Sequence, residues 1–134
     1  MSDAELEQIV AAVPFAASLG VELSAADPRK VLGTMPWAPE HCTVEGVLHG
    51  GALMSFADTL GAVCAYLNLE PGATTTTVES KTNFFRAVRG GRVSATALPL
   101  HVGRSFIVVQ TTIVDDEGRN VAQVTQTQAV LKPS

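Results

Sequence analysis

The spacing of apolar and polar positions changes period along this chain, and each change marks an element. Leu6, Ile9, Val10 and Val13 follow helical spacing behind Ser2-Asp3-Ala4-Glu5, which fits a capping box with Ser2 as N-cap and Glu5 at N3. Pro14 ends or bends this helix, and Phe15, Ala16 and Leu19 extend its apolar patch to Gly20. Val21 and Leu23 alternate with Glu22 and Ser24 as a short strand. Asp27-Pro28-Arg29-Lys30 turns, and Val31, Gly33, Met35 and Trp37 alternate in a second strand. Pro36 and Pro39 then push the chain into a loop that runs to about Leu48. A long apolar helix occupies roughly 50–68 and stops near Pro71-Gly72.

After that helix the period becomes two. Thr74 to Phe85 is β-rich, with Thr76, Val78, Ser80, Thr82 and Phe84 on one face and Glu79, Lys81 and Asn83 on the other. Arg89-Gly90-Gly91 turns into Arg92–Val102, whose apolar phase shifts at Pro99, a β-bulge or an edge. Gly103-Arg104 turns into Ser105–Val114, apolar on both faces and therefore expected inside a covered sheet. Asp115-Asp116-Glu117-Gly118 is a hairpin turn, and Asn120 to Leu131 is the last strand. The short turns favour antiparallel pairing, with these four strands in a meander. One long apolar helix needs a sheet to wrap it, so residues 1–134 are expected to form a single α+β domain.

The 134 residues are 46% hydrophobic and 16% charged, which excludes disorder and suits a sizeable core. The net charge of −4 gives no general pull toward nucleic acid or an anionic membrane, but it is unevenly spread. Lys81, Arg86, Arg89, Arg92 and Arg104 give the segment 81–104 a charge of +5, without one acidic residue, and leave −9 on the rest. Such a local patch is either a site for an anionic ligand or a set of solvated strand edges. Cys42 and Cys64 make no disulfide framework, and His41, Cys42 and His49 match no metal-ligand spacing, so no metal is expected. Neither a leader sequence nor a membrane-spanning run is evident, and the expected location is the cytoplasm.

The candidate chemistry lies in the long helix. It opens on His49-Gly50-Gly51 and carries one carboxylate, Asp58, in its interior. A charge within an apolar helix is costly unless it is paired or functional. A helix start on glycines offers unpaired N–H groups to a developing negative charge, and an oxyanion donor with a carboxylate is an acyl-transfer pair. Eight residues of helix span about 12 Å and turn Asp58 roughly 80° from Gly50, beyond the reach of an Asp side chain. If both act on one carbonyl, they come from two copies, which predicts a homodimer with two equivalent sites. The plainer readings are that Asp58 caps a second helical segment or pairs with a buried arginine, and that the glycines only permit a tight turn. Ser55 and Thr59 flank Asp58 and either hydrogen-bond it or bond back to the helix. Cys64 reads as core. No Gly-x-Ser-x-Gly elbow is present, which argues against a serine-hydrolase triad.

Val47-Leu48-His49-Gly50-Gly51 with Ala57-Asp58-Thr59, followed by Thr77 through Arg86, resembles the hotdog-fold acyl-CoA thioesterases of the phenylacetate-degradation type. Gly103-Arg104 and the hairpin around Gly118 fit the same pattern, and the resemblance runs from about residue 15 to the end. It implies an antiparallel sheet of about six strands around the central helix, in dimers that often pair into tetramers. It implies acyl-CoA hydrolysis without a metal or organic cofactor. Carried over by position, the Gly50 N–H polarises the thioester carbonyl, and Asp58 of the partner subunit is nucleophile or general base. His49 shapes the helix start and touches the acyl group or carbonyl. Gly51, Ser55 and Thr59 flank the substrate, and Asn83, Arg86 and the Gly103-Arg104-Ser105 corner line the CoA channel. Arg86 and Arg104 suit its phosphates. Thr43 stands six residues before the His, where several relatives carry Asn. Competing readings are an acyl-thioester hydratase or dehydratase, although Asp-x-Asn-Pro-x-His is missing, and a non-catalytic acyl-CoA-binding protein.

Overall fold

The computed structural model describes residues 1–133. Ser2 caps helix α1 (Asp3–Ala11): its Oγ accepts the Glu5 N–H at 3.2 Å, and the Glu5 carboxylate accepts the Ser2 N–H at 3.2 Å. The hydrogen bonds from Ser2 hold the Glu5 carboxyl below its usual range. Pro14 bends the chain and starts helix α2 (Pro14–Ser18), where its missing N–H does no harm. Strands β1 (Glu22–Asp27) and β2 (Lys30–Pro36) form a hairpin, closed by Asp27 Oδ1 accepting the Arg29 and Lys30 N–H groups at 2.7 and 3.1 Å. Two 3₁₀ turns follow, and a bridge between Cys42 and Leu48 closes that loop.

Helix α3 (Gly50–Tyr66) then crosses the molecule. It buries Leu53, Phe56, Ala57, Leu60 and Cys64, while Met54, Asp58, Ala62 and Tyr66, spaced by four, form its less buried stripe. Asp58 therefore lies half-buried at the rim of an apolar helix and not at its centre. The remaining strands are β3 (Thr74–Phe84), β4 (Arg92–Val102), β5 (Phe106–Val114) and β6 (Asn120–Leu131). All six strands form one antiparallel sheet in the order β1-β2-β4-β5-β6-β3, curved around α3. Its inner face is Val31 and Met35 of β2, Val93, Ala95 and Ala97 of β4, Ile107, Val109 and Ile113 of β5 and Val124 of β6. The alanines of β4 leave room for the helix backbone to come close.

The sheet departs from the sequence reading in three places. The last four strands are not one meander. β3 pairs with β6 at the sheet edge, and β4 pairs with β2. The link 85–91 crosses three strand spacings, about 14 Å, which seven residues span easily. It is held on its way by Phe85 N–H to Val121 O, Leu48 N–H to Val88 O and Trp37 N–H to Gly91 O, at 2.8, 2.8 and 2.9 Å. Second, a register shift between Thr77 and Glu79 changes the phase of β3. Thr75 and Thr77 share the inner face with Ser80, Thr82 and Phe84, and Thr76 and Val78 do not. Third, β5 is interior as expected, but only Ile107, Val109, Thr111 and Ile113 are fully covered, and its other face is half-covered. The phase change at Pro99 is a bulge between Pro99 and His101.

Candidate active site

The start of α3 is shaped by His49. Its Nδ1 accepts the Gly51 N–H at 2.7 Å, so the imidazole is the helix cap. An accepting Nδ1 carries no proton, which leaves Nε2–H as the donor of the neutral ring. The cap satisfies Gly51 and leaves Gly50. Among the described residues the Gly50 N–H makes no hydrogen bond within the chain. A Cβ at Gly50 would meet Phe84 Cζ at 3.0 Å, so the ring at the end of β3 packs on this backbone and would have to shift to admit a side chain there. The two-glycine start thus resolves into one capped amide and one free donor at a helix N-terminus.

Asp58 is eight residues on, about 12 Å along the axis. Its Oδ1 accepts from Thr77 Oγ1 at 2.8 Å and from Gln126 Nε2 at 2.9 Å. Both donors are neutral, and among the described residues no Lys, Arg or His forms an ion pair with it. Its Oδ2 accepts no hydrogen bond from the described residues. Thr77 Oγ1 in turn accepts Gln128 Nε2 at 2.6 Å, and Gln128 Oε1 accepts the Thr75 hydroxyl at 3.1 Å. The stripe beyond Asp58 faces a groove of about 690 Å³ between α1 and α3, whose walls include Ile9, Ala12, Val13, Ala62, Val63 and Tyr66.

These placements exclude the plainer readings of Asp58. The helix is continuous through it, and its partners are a threonine and an amide instead of an arginine. Ser55 and Thr59 do not bond it either: their hydroxyls donate back to Gly51 O and Ser55 O, each at 2.8 Å. Cys64 is fully buried, and burial, with the charge of Asp27 adding, pushes its thiol up to about 11, so it supplies no thiolate near neutral pH.

The matched residues 45–122 fit the family model of the thioesterase superfamily. The chain belongs to that superfamily, and its activity is thioester hydrolysis. A thioesterase from Haemophilus influenzae has the same fold, with a TM-score of 0.91 at 31% identity over 98% of this chain and 92% of that one. The proofreading thioesterase EntH of Cronobacter turicensis is 32% identical over 113 residues, covering 84% of this chain and 82% of that protein. The 1,4-dihydroxy-2-naphthoyl-CoA hydrolase of Escherichia coli is 37% identical over 86 residues, 64% of this chain and 63% of that enzyme. The six-stranded antiparallel sheet and long helix are the hotdog architecture of these relatives.

In this thioesterase the expected CoA-channel residues fall into two groups. Arg86 follows Phe84 at the start of α3 and is exposed. Gly103 and Arg104 lie at the other end of α3, about 25 Å away. There they flank, with Lys132, a hollow of about 460 Å³ against Leu69 and Pro71, and the Ser105 carbonyl accepts the Val130 N–H at 2.8 Å. Asn83 is exposed and pairs with Gln123, on the sheet face away from α3. Thr43 is exposed in the loop before α3, and its N–H donates to Val47 O at 2.8 Å. The sequence reading missed Thr77, Gln126 and Gln128 as neighbours of Asp58. The signal was there in β6: Gln126 and Gln128 share the inward parity of Ala122 and Val124, and amides at core positions need partners. No helix of the described residues is long and apolar enough to cross a membrane.

Proposed function

We propose that the protein hydrolyses acyl-CoA thioesters at sites formed by two copies of the chain, each pairing Asp58 of one protomer with the Gly50 N–H of its partner. The observation that carries this reading is the state of Asp58: Oδ1 held by two neutral donors, Oδ2 left free, and an apolar groove alongside. A half-buried carboxylate anchored by one oxygen presents the other in a set direction, as a nucleophile or a general base requires. Oδ2 either attacks the thioester carbon, giving a mixed anhydride that water opens, or takes a proton from the water that attacks. In both routes the carbonyl oxygen gains charge at the free Gly50 donor and the CoA thiolate leaves and is protonated. His49 holds that donor in place through its cap and offers Nε2–H toward the same carbonyl. The groove between α1 and α3 takes the acyl group.

The homodimer follows from the 12 Å separation and is supported by the open edge of β3, eleven residues long and without a strand beyond it among the described residues. Exposed Leu98, Leu100 and Phe106 supply an apolar strip through which two dimers associate. Because Arg86 and Arg104 lie about 25 Å apart in one chain, the CoA phosphates are contacted by Arg86 of one protomer and Arg104 of its partner, and Gly51, Thr43, Ser55, Thr59, Asn83, Gly103 and Ser105 of the two copies border the bound substrate. Replacement of either arginine by Ala then raises KM for acyl-CoA more than for the acyl-pantetheine thioester, which has no nucleotide phosphates.

The test is Asp58→Asn, assayed by CoA release over short, medium, long and aryl acyl-CoAs. We expect kcat to fall by about 10²-fold or more with a smaller change in KM. Mixing Asp58→Asn with Gly50→Pro subunits, each shown to fold, should restore part of the activity through heterodimers with one intact site. Near wild-type turnover in a folded Asp58→Asn protein would overturn the proposal.

A further inference from the structure

We infer that Thr77, Gln126 and Gln128 are positioning residues of the hydrolysis, which select the reacting oxygen of Asp58. This rests on the reading of Asp58 as the reacting carboxylate. Gln128 Nε2 donates to Thr77 Oγ1 at 2.6 Å, so the single proton of that hydroxyl is free to go only to Asp58 Oδ1, 2.8 Å away. The Thr75 hydroxyl has two acceptors, Ala129 O at 2.9 Å and Gln128 Oε1 at 3.1 Å, so the Gln128 amide is set from the other end: the carboxylate only accepts, so Thr77 must donate to Oδ1 and receive from Gln128 Nε2. Gln126 also has one workable orientation: reversal would set its carbonyl oxygen against a carboxylate oxygen. Both chains of donors therefore end on Oδ1, and neither contains a group that can take up a proton.

The glutamines are fully buried, so water does not replace them as donors. Gln126 reaches Asp58 only because position 61 is glycine. A Cβ there would coincide with the Gln126 amide oxygen, which has no hydrogen-bond partner and rests against the helix at Gly61. Gly61 lies three residues beyond Asp58, on the same side of α3. A buried acceptor left without a full partner and a glycine inside a helix both weaken folding. The arrangement is explained if its benefit lies in the orientation of the carboxylate. With Oδ1 occupied twice, Oδ2 alone is available to the thioester or to water.

The experiment measures kcat and KM for Thr77→Val, Thr77→Ser, Gln126→Met, Gln128→Met and Gly61→Ala, alone and with Asp58→Asn. Folding is checked by circular dichroism. Thr77→Val, Gln126→Met and Gln128→Met should each lower kcat about ten-fold with KM changed less than about two-fold, since misdirecting a reacting group harms the chemical step more than binding. Thr77→Ser keeps the hydroxyl and should retain kcat. Gly61→Ala removes no hydrogen-bonding group but displaces Gln126, and should match Gln126→Met. In the Asp58→Asn background none should cause further loss, because their effect passes through Asp58. Thr77 is exposed at the sheet edge, so Thr77→Val remains usable if the buried variants fail to fold. Full kcat in Thr77→Val, or losses that multiply with Asp58→Asn, would overturn the inference. Retained turnover in Asp58→Asn alone would instead overturn the reading beneath it.

Discussion

Replacing His49 separates two functions that one ring performs. The bond from Gly51 N–H to Nδ1, 2.7 Å long, is the side-chain cap of α3. Loss of an N-cap acceptor costs 0.5–2 kcal/mol, and about 1 kcal/mol is expected here because His49 is exposed and water reaches the freed amide. Unfolding entropy of roughly 2.1 cal/mol/K per residue amounts to about 0.28 kcal/mol/K for 134 residues. His49→Ala should therefore lower Tm by about 3–4 °C. His49→Asn supplies an oxygen at the same position and should recover all but a few tenths of a kcal/mol. It does not supply Nε2–H. Tm is read by circular dichroism at one protein concentration, since association shifts Tm by mass action. CoA release is read alongside. If Nε2–H reaches the thioester, Asn recovers Tm and not kcat. An unchanged Tm in His49→Ala, or an Asn variant as unstable as Ala, would refute the capping argument.

Other outcomes follow from burial and charge. Leu60 is fully buried on α3, so Leu60→Ala should destabilise by 2–5 kcal/mol, lowering the denaturant midpoint without changing its slope; a loss under 1 kcal/mol would contradict the packing. With the Cys64 thiol held near 11 and fully buried, one thiol, Cys42, should react with a disulfide reagent at pH 8 in the native protein and two after denaturation. Two rapid native thiols would contradict this. The Arg119 N–H, with the Glu117 N–H and the Arg119 guanidinium behind it, holds the Asp115 carboxyl below its usual range. A depressed carboxyl stabilises above the unfolded pKa of about 3.9 and loses that effect as pH falls through the lower folded value. The Tm deficit of Asp115→Ala should therefore be constant from pH 5 to 7 and shrink toward pH 2; an equal deficit throughout would count against it.

Local chemistry was legible in the chain wherever a rule acts over a few residues. The Ser2–Glu5 box, the Asp27 turn, the length of α3 and the bulge at Pro99 depend on neighbours within about four positions. Sequence spacing alone therefore locates them. The same holds for the His49-Gly50-Gly51 start and for the isolation of Asp58, and with them the expectation of an acyl-transfer site. The helix repeat by itself also separates Gly50 from Asp58, since 1.5 Å per residue needs no tertiary information.

Other features depend on contacts between residues far apart in the chain. A seven-residue link after β3 can join adjacent strands or cross the sheet, so the placement of β3 beside β6 was not written in its length. One extra residue at the Thr77–Glu79 shift reverses every face before it, and with it turned Thr75 and Thr77 inward. The partners of Asp58 lie 19 and 68 residues away, and no periodicity links them to it. Composition put Arg86 and Arg104 in one cationic segment, yet the fold sends them to opposite ends of α3. Helical spacing and capping are short-range and therefore readable along the chain. Strand order, register and the neighbours of a half-buried carboxylate arise only when distant segments share one core.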